Sequence, residues 1–278
     1  MSSISNSFRD KFGPWALIAG ASEGMGAAFA KEAARKGLDV ILVARREKLL
    51  EKLAAEISSR FNVRTRIIPL DLTSPDLLPK IAEKTDNLEI GLLIYNAALS
   101  PIGPFLNTSL KNHQKVIDLN CRGPMTLSYY FGEKMKERGE GGIVLMASLA
   151  GLQGSPLHAH YSATKAYNIN LAESLWYELG KHGVKVITCA AGAIATPNYL
   201  ASKPKNNGLF SPKVMTPDTV AEKALKRLTK NNPFYIPGCV NKLYHFFMRK
   251  FLSRKGAVKL MGNVAEDMYG KEKNHINP

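Results

Sequence analysis

A tyrosine and a lysine lie four residues apart in the segment YSATK, which runs from Tyr161 to Lys165. If the segment is helical, both side chains leave the same face, with their Cβ atoms about 5–6 Å apart. A phenol beside an ammonium is suited to proton transfer, because the positive charge favours the phenolate. An exposed pair at the first turn of a helix has the same spacing, so the role of the pair depends on the rest of the chain.

A glycine-rich segment, GASEGMG, joins the first predicted strand to the first predicted helix. Its glycines, Gly20, Gly24 and Gly26, allow positive φ angles and a close approach of the backbone to a ligand. The start of the helix then offers free N–H groups that suit a pyrophosphate. The spacing is G-x-x-x-G-x-G, and its position at the first strand–helix turn predicts a nucleotide-binding site.

The end of the second predicted strand, VILVARREK, indicates which nucleotide is bound. NAD-binding folds usually carry an acidic residue here for the ribose hydroxyls, whereas this chain has alanine followed by Arg45 and Arg46. Guanidinium groups form charge-assisted hydrogen bonds with a phosphate, and Ser22 adds a hydroxyl, so we expect NADPH/NADP+ rather than NADH. In the alternative interpretation, the arginines begin a solvated helix and pair with Glu47 and Glu51.

Short apolar runs alternate with amphipathic stretches between residue 14 and about residue 195. The runs are continuous, as in strands that helices cover on both faces, and they are Ala16–Ala19, Val40–Ala44, Arg66–Leu70, Gly91–Tyr95, Gly142–Ala147 and Lys185–Ala190. The predicted helices are 24–36, 46–59, 111–138 and 161–182. This order predicts an α/β fold, a single doubly wound Rossmann-type domain over 1–278, with a parallel sheet and helices on both faces. Its core would span about 12–200, and a substrate lid with a basic extension would span about 197–278.

Two polar residues occupy positions that suit a site in such a fold. Ser148 closes the strand GGIVLMAS and would project from the carboxyl edge of the sheet, where ligands bind. Asn120 precedes Gly-Pro within a predicted helix, which is compatible with a kink that frees a backbone group. An exposed helical asparagine is the alternative, and Asn120 alone favours that alternative.

Together these motifs make the chain similar to the short-chain dehydrogenase/reductase family. The resemblance covers roughly residues 12–200 in the family's order and spacing, and its motifs are GASEGMG, Asp71-Leu72, YNAA at Asn96 to Ala98, Asn120, Ser148, YSATK and AAGAIATP around Gly192 to Thr196. Ala98 and Ala191 replace the family's usual glycine and proline. The arrangement looks most like the NADPH-dependent 3-ketoacyl and 17β-hydroxysteroid reductases.

The resemblance implies a catalytic set of Asn120, Ser148, Tyr161 and Lys165. Tyr161 would be the general acid that protonates the substrate oxygen, with its pKa lowered by Lys165 and by the positive oxidised nicotinamide. Ser148 would hold that oxygen, and Lys165 would also bind the nicotinamide ribose. Asn120 would anchor a water that replaces the proton.

The same resemblance and the loop chemistry imply cofactor contacts along one edge of the sheet. They are Gly20, Ser22, Gly24, Met25 and Gly26 at the phosphates, Arg45 and Arg46 at the 2′-phosphate, Asp71 and Leu72 at the adenine, Asn96 and Ala97 at the ribose, and Gly192, Ile194 and Thr196 at the nicotinamide amide, beside Tyr161 and Lys165.

The expected activity is reduction of the ketone of a small hydrophobic substrate by hydride transfer from NADPH. The alternatives are an NAD(P)+-dependent alcohol or hydroxysteroid dehydrogenase and, from another class, a non-catalytic NADPH-binding sensor or scaffold. The resemblance also implies a homodimer or homotetramer that pairs through helices 111–138 and 161–182. No nucleic-acid module is recognisable, so no nucleic-acid partner is expected.

The last quarter of the chain is the most basic part. Residues 203–278 hold 15 Lys/Arg against 5 Asp/Glu, out of a net charge of +15 for the whole chain. The segment from Asn241 to Leu260 has basic and aromatic helical stripes, so it could contact an anionic membrane. We favour the alternative that its aromatic stripe, with Tyr244, Phe247, Met248 and Phe251, packs on the core or roofs the pocket.

The remaining predictions concern a lid, two histidines and the cysteines. The segment from Pro197 to Met215 is rich in Pro, Asn and Lys and is predicted to be a mobile lid. His158 and His160 flank the site, where an incidental role is favoured over a catalytic one. Three separated cysteines show no disulfide or zinc spacing, so no metal is expected and a cytoplasmic location, with membrane association as an option, is the default.

Overall fold

The computed structural model describes residues 8–202 and 213–270, and these residues form seven strands in one sheet. The strands are β1 Trp15–Ala19, β2 Asp39–Ala44, β3 Thr65–Pro69, β4 Ile90–Tyr95, β5 Gly141–Ser148, β6 Val184–Ala191 and β7 Phe234–Tyr235. Every pairing is parallel, and the order across the sheet is β3-β2-β1-β4-β5-β6-β7. The predicted fold class is therefore confirmed.

The helices of the described residues lie between and after these strands. They are α1 Phe8–Phe12, α2 Gly24–Arg35, α3 Glu47–Phe61, α4 Leu77–Thr85, α5 Leu110–Ile117, α6 Gly123–Arg138, α7 Ala159–Gly180, α8 Pro197–Ala201, α9 Pro217–Leu228, α10 Cys239–Phe251 and α11 Arg254–Tyr269. The segment predicted as a lid contains α8, but its residues 203–212 lie outside the described part of the chain.

The sheet is buried on both faces, which explains its continuous apolar strands. In β1, Ala16 and Ile18 pack with residues of α2, α3 and α9, whereas Leu17 and Ala19 pack with residues of α4, α6 and α7. Alternate side chains of a strand point to opposite faces, so the strands inside the sheet are apolar at most positions, whereas the edge strand β3 exposes Arg66. The polar groups of the site can therefore stand only at the ends of the strands.

The strand order reverses direction at β1, because the chain moves outward to β2 and β3 and then returns to β4 on the other side. In open α/β sheets this switch point forms a crevice at the carboxyl ends of the strands, where ligands bind. The turn from β1 to α2, with Gly20, and the end of β4, with Asn96, lie on either side of this crevice.

The helix predicted over 111–138 is interrupted by a wider turn. Asp118–Arg122 form a π-helix between α5 and α6. Tyr95, at the end of β4, donates its hydroxyl to the Leu119 carbonyl at 2.7 Å. In a regular α-helix this carbonyl would accept from the N–H of Gly123. A side chain at Gly123 would overlap the Tyr95 hydroxyl, so the bulge depends on glycine there.

Gly123→Ala should therefore destabilise the fold, because the added methyl must displace a buried tyrosine. We expect the free energy of unfolding to fall by about 1–3 kcal/mol, the usual range for overpacking. Urea denaturation followed by circular dichroism measures this change.

Gly180→Ala is the matched control, since a methyl group at the last residue of α7 would meet no atom within 4 Å. Its unfolding free energy should stay within about 0.5 kcal/mol of the unmodified protein or rise slightly. Equal destabilisation by both substitutions would contradict a specific role of Gly123 in the bulge.

Candidate active site

The glycine-rich loop between β1 and α2, here called the phosphate loop, has no room for side chains at its three glycines. Gly20 has a φ of 84°, and a Cβ there would lie 2.7 Å from the backbone nitrogen of Ala97. A Cβ on Gly26 would overlap the carbonyl oxygen of Gly20. Gly24 has a φ of 57°, and a Cβ there would lie 3.1 Å from Thr196 Cγ2. The loop therefore brings the first turn of α2 against two other segments that the sequence assigns to the cofactor.

The N-terminus of α2 offers its N–H groups to a ligand. Its N-cap residue, Glu23, makes no side-chain cap hydrogen bond, so the first amides of the helix keep their capacity for an anion. Met25 is 5% exposed and belongs to the core, so its predicted contact with the cofactor would be made by its backbone. A glycine cradle and an uncapped helix start fit a pyrophosphate.

Asn96 and Ala97 fasten the end of β4 to the loop. Both backbone N–H groups donate to the carbonyl of Ala19 at 3.0 Å. The side-chain amide of Asn96 donates to the carbonyl of Gly20 at 3.1 Å. Asn96 therefore holds the shape of the loop, which the sequence alone did not indicate.

Arg46 lies across the loop beside Ser22. Its Nη2 atom is 2.8 Å from Ser22 Oγ and 2.7 Å from Glu23 Oε1. The guanidinium and the hydroxyl that the sequence assigns to the 2′-phosphate thus lie together, and the carboxylate that pairs with Arg46 is Glu23. Among the ion pairs of the described residues, none involves Glu47 or Glu51, so the alternative pairing is wrong.

Arg45 acts on the next segment, where Asp71 and Leu72 follow β3. Burial opposes ionisation of Asp71, but hydrogen bonds from the Thr73 backbone and hydroxyl, together with the charge of Arg45, outweigh it and lower the pKa of Asp71. One carboxylate oxygen of Asp71 accepts both Thr73 bonds, at 2.9 and 2.8 Å. Leu72 is 4% exposed, so it would meet an adenine through its backbone.

Asn120 is fully buried, so the exposed alternative is wrong, and it lies in a π-helix that interrupts the regular helix at this point. Its Oδ1 accepts from the Leu99 N–H at 2.8 Å, and its Nδ2 donates to the Leu99 carbonyl at 2.9 Å and to Thr164 Oγ1 at 3.0 Å. Residue Pro124 lacks the N–H that a regular helix would offer to the Asn120 carbonyl. Asn168 donates its side-chain amide to that carbonyl at 3.0 Å instead.

Lys165 is buried beside Tyr161 on α7. Its Nζ donates to the carbonyl of Met146 in β5 at 2.8 Å and lies 5.6 Å from the centre of the Tyr161 ring. Burial lowers the pKa of Lys165 to about 8, because the interior disfavours the charged form. The carbonyl of β5 thus fixes the direction of the ammonium.

The Ser148 hydroxyl interacts with the Tyr161 phenol and favours its ionised form. The pKa of Tyr161 is raised by burial, which the Ser148 hydrogen bond only partly offsets. In the protein without cofactor, desolvation of the phenolate is the largest influence on this pKa, and the expected lowering by Lys165 together with the oxidised nicotinamide stays a prediction. Ser148 also accepts from the Ala150 N–H at 3.2 Å, which orients its hydroxyl.

The segment after β6 forms the wall opposite the loop. A Cβ on Gly192 would lie 3.0 Å from Nδ2 of Asn241 in α10. Ile194 forms an isolated parallel bridge with Met215. Thr196 caps α8 by accepting from the Tyr199 N–H at 3.3 Å. These three predicted contacts are held by residues beyond the core, so the C-terminal part of the chain completes the site.

His158 and Tyr269 line the approach to Tyr161. The ring centre of His158 is 6.2 Å from that of Tyr161 and 5.3 Å from that of Tyr269. Burial lowers the pKa of His158 to about 4, so the imidazole is neutral at pH 7. The sequence placed His158 here but missed Tyr269, since no local pattern predicts that α11 ends beside α7.

His160 faces away from this approach. Its Nδ1 lies 2.8 Å from Nδ1 of His113, and the His113 ring stacks on Phe105 at 4.3 Å. A separate cavity of about 450 Å³ lies between α7 and α11 and is lined by Ala163, Ala166, Arg254 and other residues. It opens on a different face of α7 from Lys165, so it is not the place where Tyr161 acts.

The described residues contain no group of three or more His, Cys, Asp or Glu side chains that could hold a metal ion. A half-buried phenol, a hydroxyl beside it and a buried ammonium behind it lie at the carboxyl edge, next to a loop suited to a pyrophosphate. This arrangement can protonate or deprotonate a substrate oxygen beside a bound dinucleotide.

A family model of short chain dehydrogenases matches residues 14–207. The chain therefore belongs to the short-chain dehydrogenase family. The family resemblance predicted from the sequence is confirmed, and the chain is an oxidoreductase that acts on CH–OH groups with a nicotinamide cofactor.

Proteins of similar sequence include hydroxysteroid dehydrogenases and a 3-oxoacyl-CoA reductase. The 7beta-hydroxysteroid dehydrogenase of Clostridium sardiniense is 33% identical over 235 residues, covering 84% of this chain and 89% of that protein. The 17-beta-hydroxysteroid dehydrogenase type 3 of Mus musculus is 31% identical over 229 residues, covering 81% and 72%. The very-long-chain 3-oxoacyl-CoA reductase of Phaeosphaeria nodorum is 35% identical over 211 residues, covering 70% and 62%.

Solved structures show the same fold. One that concerns 7beta-hydroxysteroid dehydrogenase stereoselectivity has a TM-score of 0.85 at 27% identity and covers 92% of this chain and 99% of that one. A short-chain dehydrogenase from Sphingobium yanoikuyae in complex with NADPH has a TM-score of 0.74 at 27% identity, covering 86% and 97%.

The half-buried, neutral His158 should make the stability depend on pH. The unfolded chain binds a proton at His158 with an ordinary pKa near 6.5, whereas the folded chain does so only near 4. The free energy of unfolding should therefore fall by about 3 kcal/mol on this account as the pH drops from about 7 to about 4. Denaturant titrations over this range measure the slope.

His158→Gln should remove this part of the slope, while the exposed His182→Gln should leave it unchanged. Carboxylates contribute to the total slope in all three proteins, so the difference between the variants carries the test. An unchanged slope in His158→Gln would contradict the burial of a neutral imidazole.

Proposed function

We propose that this protein reduces the ketone of a small hydrophobic substrate with NADPH, with Tyr161 as the general acid. The observation that carries the proposal is the grouping of the half-buried Tyr161 and Ser148 with the buried Lys165 at the mouth of the nucleotide crevice. When bound, the cofactor supplies the hydride, and the carbonyl becomes a CH–OH group. The side chains of the protein would bind and orient the substrate and transfer the proton.

Tyr161 is suited to give up a proton because burial keeps it protonated at neutral pH. Ser148 would donate its hydroxyl to the substrate oxygen and direct it toward the phenol. Lys165, with a pKa near 8, is mostly charged at pH 7 and would stabilise the phenolate once the proton has left. The same residues run in reverse would oxidise an alcohol.

Asn120 would act behind this set as a positioning residue. Its side chain and carbonyl are bonded to Leu99, Thr164 and Asn168, which aligns α7 with the end of β4. A water held at its carbonyl would share that oxygen with Asn168. A carbonyl oxygen has two lone pairs, so the Asn120 carbonyl can accept hydrogen bonds from Asn168 and from a water at once. This water would then replace the proton that Tyr161 gives up.

The preference for NADPH would come from Arg46 and Ser22, which already meet at 2.8 Å, and from Arg45 at the neighbouring edge. Glu23 competes for Arg46, so a 2′-phosphate would replace a carboxylate that the arginine already holds. The favourable binding free energy from the 2′-phosphate would then be smaller than it would be if both arginines were free.

A hydrophobic substrate is supported by the approach to Tyr161. Tyr269 and the neutral His158 form it, and neither carries a charge at neutral pH. The names of the similar proteins, hydroxysteroid dehydrogenases and a 3-oxoacyl-CoA reductase, point to the same class of substrate. Because those names include dehydrogenases, an NAD(P)+-dependent hydroxysteroid dehydrogenase is the second candidate.

We also propose a homodimer or homotetramer that pairs through α5, α6 and α7. The outer surfaces of these helices expose large apolar side chains, namely Leu110, Ile117, Met125, Tyr129, Tyr167 and Tyr177. A second copy would cover them.

The cofactor preference can be measured by titrating the protein with NADPH and NADH and following nicotinamide fluorescence. We expect NADPH to bind more tightly, and Arg46→Ala to lose about 10- to 100-fold in NADPH affinity with little change for NADH. Glu23→Gln should bind NADPH more tightly, since it frees Arg46. Arg60→Ala, an exposed arginine at the end of α3, is the matched control.

Equal binding of the two cofactors would contradict the 2′-phosphate site while leaving the hydride chemistry intact.

The proton donor can be tested with Tyr161→Phe, which keeps the ring and removes the hydroxyl. We expect NADPH binding to be retained and the rate of NADPH oxidation with a ketosteroid or a 3-ketoacyl thioester to fall at least about 100-fold. Tyr177→Phe, on the exposed side of the same helix, should keep full activity. Retained activity in Tyr161→Phe would contradict the assignment of the acid.

A further inference from the structure

The outer face of α10 and the residue after it carry a patch of exposed apolar side chains. We call it the α10 face, and it consists of Val240, Leu243, Phe246, Phe247, Phe251 and Leu252. Their side chains are between 40% and 66% exposed. Five such residues on one short helix, with Leu252 directly after it, form an unusual surface for a protein in water, where exposed apolar residues are normally scattered.

The inner side of α10 explains why this face must point outward. Asn241 and Met248 are buried, and Asn241 donates its side-chain amide to the Pro237 carbonyl at 2.8 Å. Tyr244 is half-buried and contacts Met261 of α11. The expected packing of the aromatic stripe is therefore right for Tyr244 and Met248.

The same expectation is wrong for Phe247 and Phe251. With 3.6 residues per turn, Leu243, Phe247 and Phe251 follow one another along one side of the helix, which differs from the side that carries the buried Asn241 and Met248. The ring centres of Phe247 and Phe251 are 5.3 Å apart, and Phe246 lies 6.0 Å from Phe247. The three rings thus form one cluster on the surface.

Positive charges surround this cluster. Lys242, Arg249, Lys250, Arg254 and Lys255 are all exposed, and none of them belongs to an ion pair among the described residues. The sequence has no Asp or Glu between Glu222 and Glu266, while it has ten Lys/Arg in that interval. The apolar patch is therefore bordered by cations without nearby anions to neutralise them.

We propose that the α10 face binds the surface of a membrane that contains anionic lipids. Phenylalanine and leucine side chains would enter the boundary between head groups and acyl chains, and the flanking Lys and Arg would contact the lipid phosphates. In the described part of the chain no helix is long and apolar enough to cross a membrane. The contact is thus peripheral.

A second copy of the chain fits this face less well. An interface of two copies related by a twofold axis would bring the same cations of both subunits together, with no acidic residue in 223–265 to pair with them. The apolar surfaces of α5, α6 and α7 are the better site for self-association. Charge complementarity therefore favours an anionic bilayer.

The α10 face is connected to the catalytic region through α11. This helix begins after Leu252 and Ser253, where Ser253 accepts from the Gly256 N–H at 3.1 Å, and ends at Tyr269 beside His158. Its 16 residues span about 24 Å. Membrane binding would therefore occur about one helix length from Tyr161, and the proposal does not depend on the role of Tyr161.

The test is sedimentation of the full chain with vesicles of phosphatidylcholine alone and of phosphatidylcholine mixed with phosphatidylglycerol. We expect binding to the anionic vesicles only, with release by added salt. Phe246→Ser/Phe247→Ser/Phe251→Ser should weaken this binding about ten-fold or more, as should Lys242→Gln/Arg249→Gln/Lys250→Gln. Lys48→Gln/Lys52→Gln/Lys136→Gln, which removes three exposed charges elsewhere, should bind as the unmodified protein does.

NADPH titration and thermal unfolding show whether each variant is folded, and Phe251→Ser alone serves if the triple variant is not. No sedimentation with anionic vesicles at low salt would overturn the proposal. A smaller mass of the phenylalanine variant by light scattering would also overturn it, because the face would then bind a second copy. Binding to poly-glutamate but not to vesicles would overturn it in favour of an acidic protein partner.

Discussion

The arrangement of the site depends on one buried asparagine and the groups that satisfy it. Asn120 lies where the π-helix interrupts the α5–α6 rod, and its side chain holds the segment after β4 while Asn168 of α7 holds its carbonyl. A buried polar group without partners would cost several kcal/mol, so these segments are fixed relative to one another. Tyr161 and Lys165 project from the helix that this network aligns.

The need to satisfy buried backbone carbonyls also explains the π-helix between α5 and α6. Tyr95 takes the carbonyl of Leu119, Pro124 removes one helical donor, and Gly123 leaves room for the tyrosine ring. None of these three residues predicts a π-helix by itself. Together they stabilise the bulge in which the side chain of Asn120 is buried. In a regular helix the N–H of residue 124 would donate to the Asn120 carbonyl, and because Pro124 has none, Asn168 supplies the donor.

The strands and the residues at their ends could be predicted from the sequence, because a sheet covered on both faces demands continuous apolar runs. Asn120 was ambiguous, since its burial depends on Tyr95 and Asn168 at distant positions. The position of Tyr269 could not be predicted from the sequence. The exposed side of α10 could not be predicted either, because helical periodicity shows two stripes of side chains but not which of them packs on the core. The ion pair of Arg46 with Glu23 likewise arises only when the loop folds back on the second strand.

The most direct test of the account follows the hydride itself. The protein would be incubated with NADPH that carries deuterium on the transferable position of the nicotinamide, and with a panel of ketosteroids and 3-ketoacyl thioesters. Mass spectrometry of the products should show an alcohol with one deuterium at the former carbonyl carbon, and Tyr161→Phe should form at most traces of it. Tight cofactor binding without transfer to any member of the panel would contradict the account and favour a binding protein built on this fold.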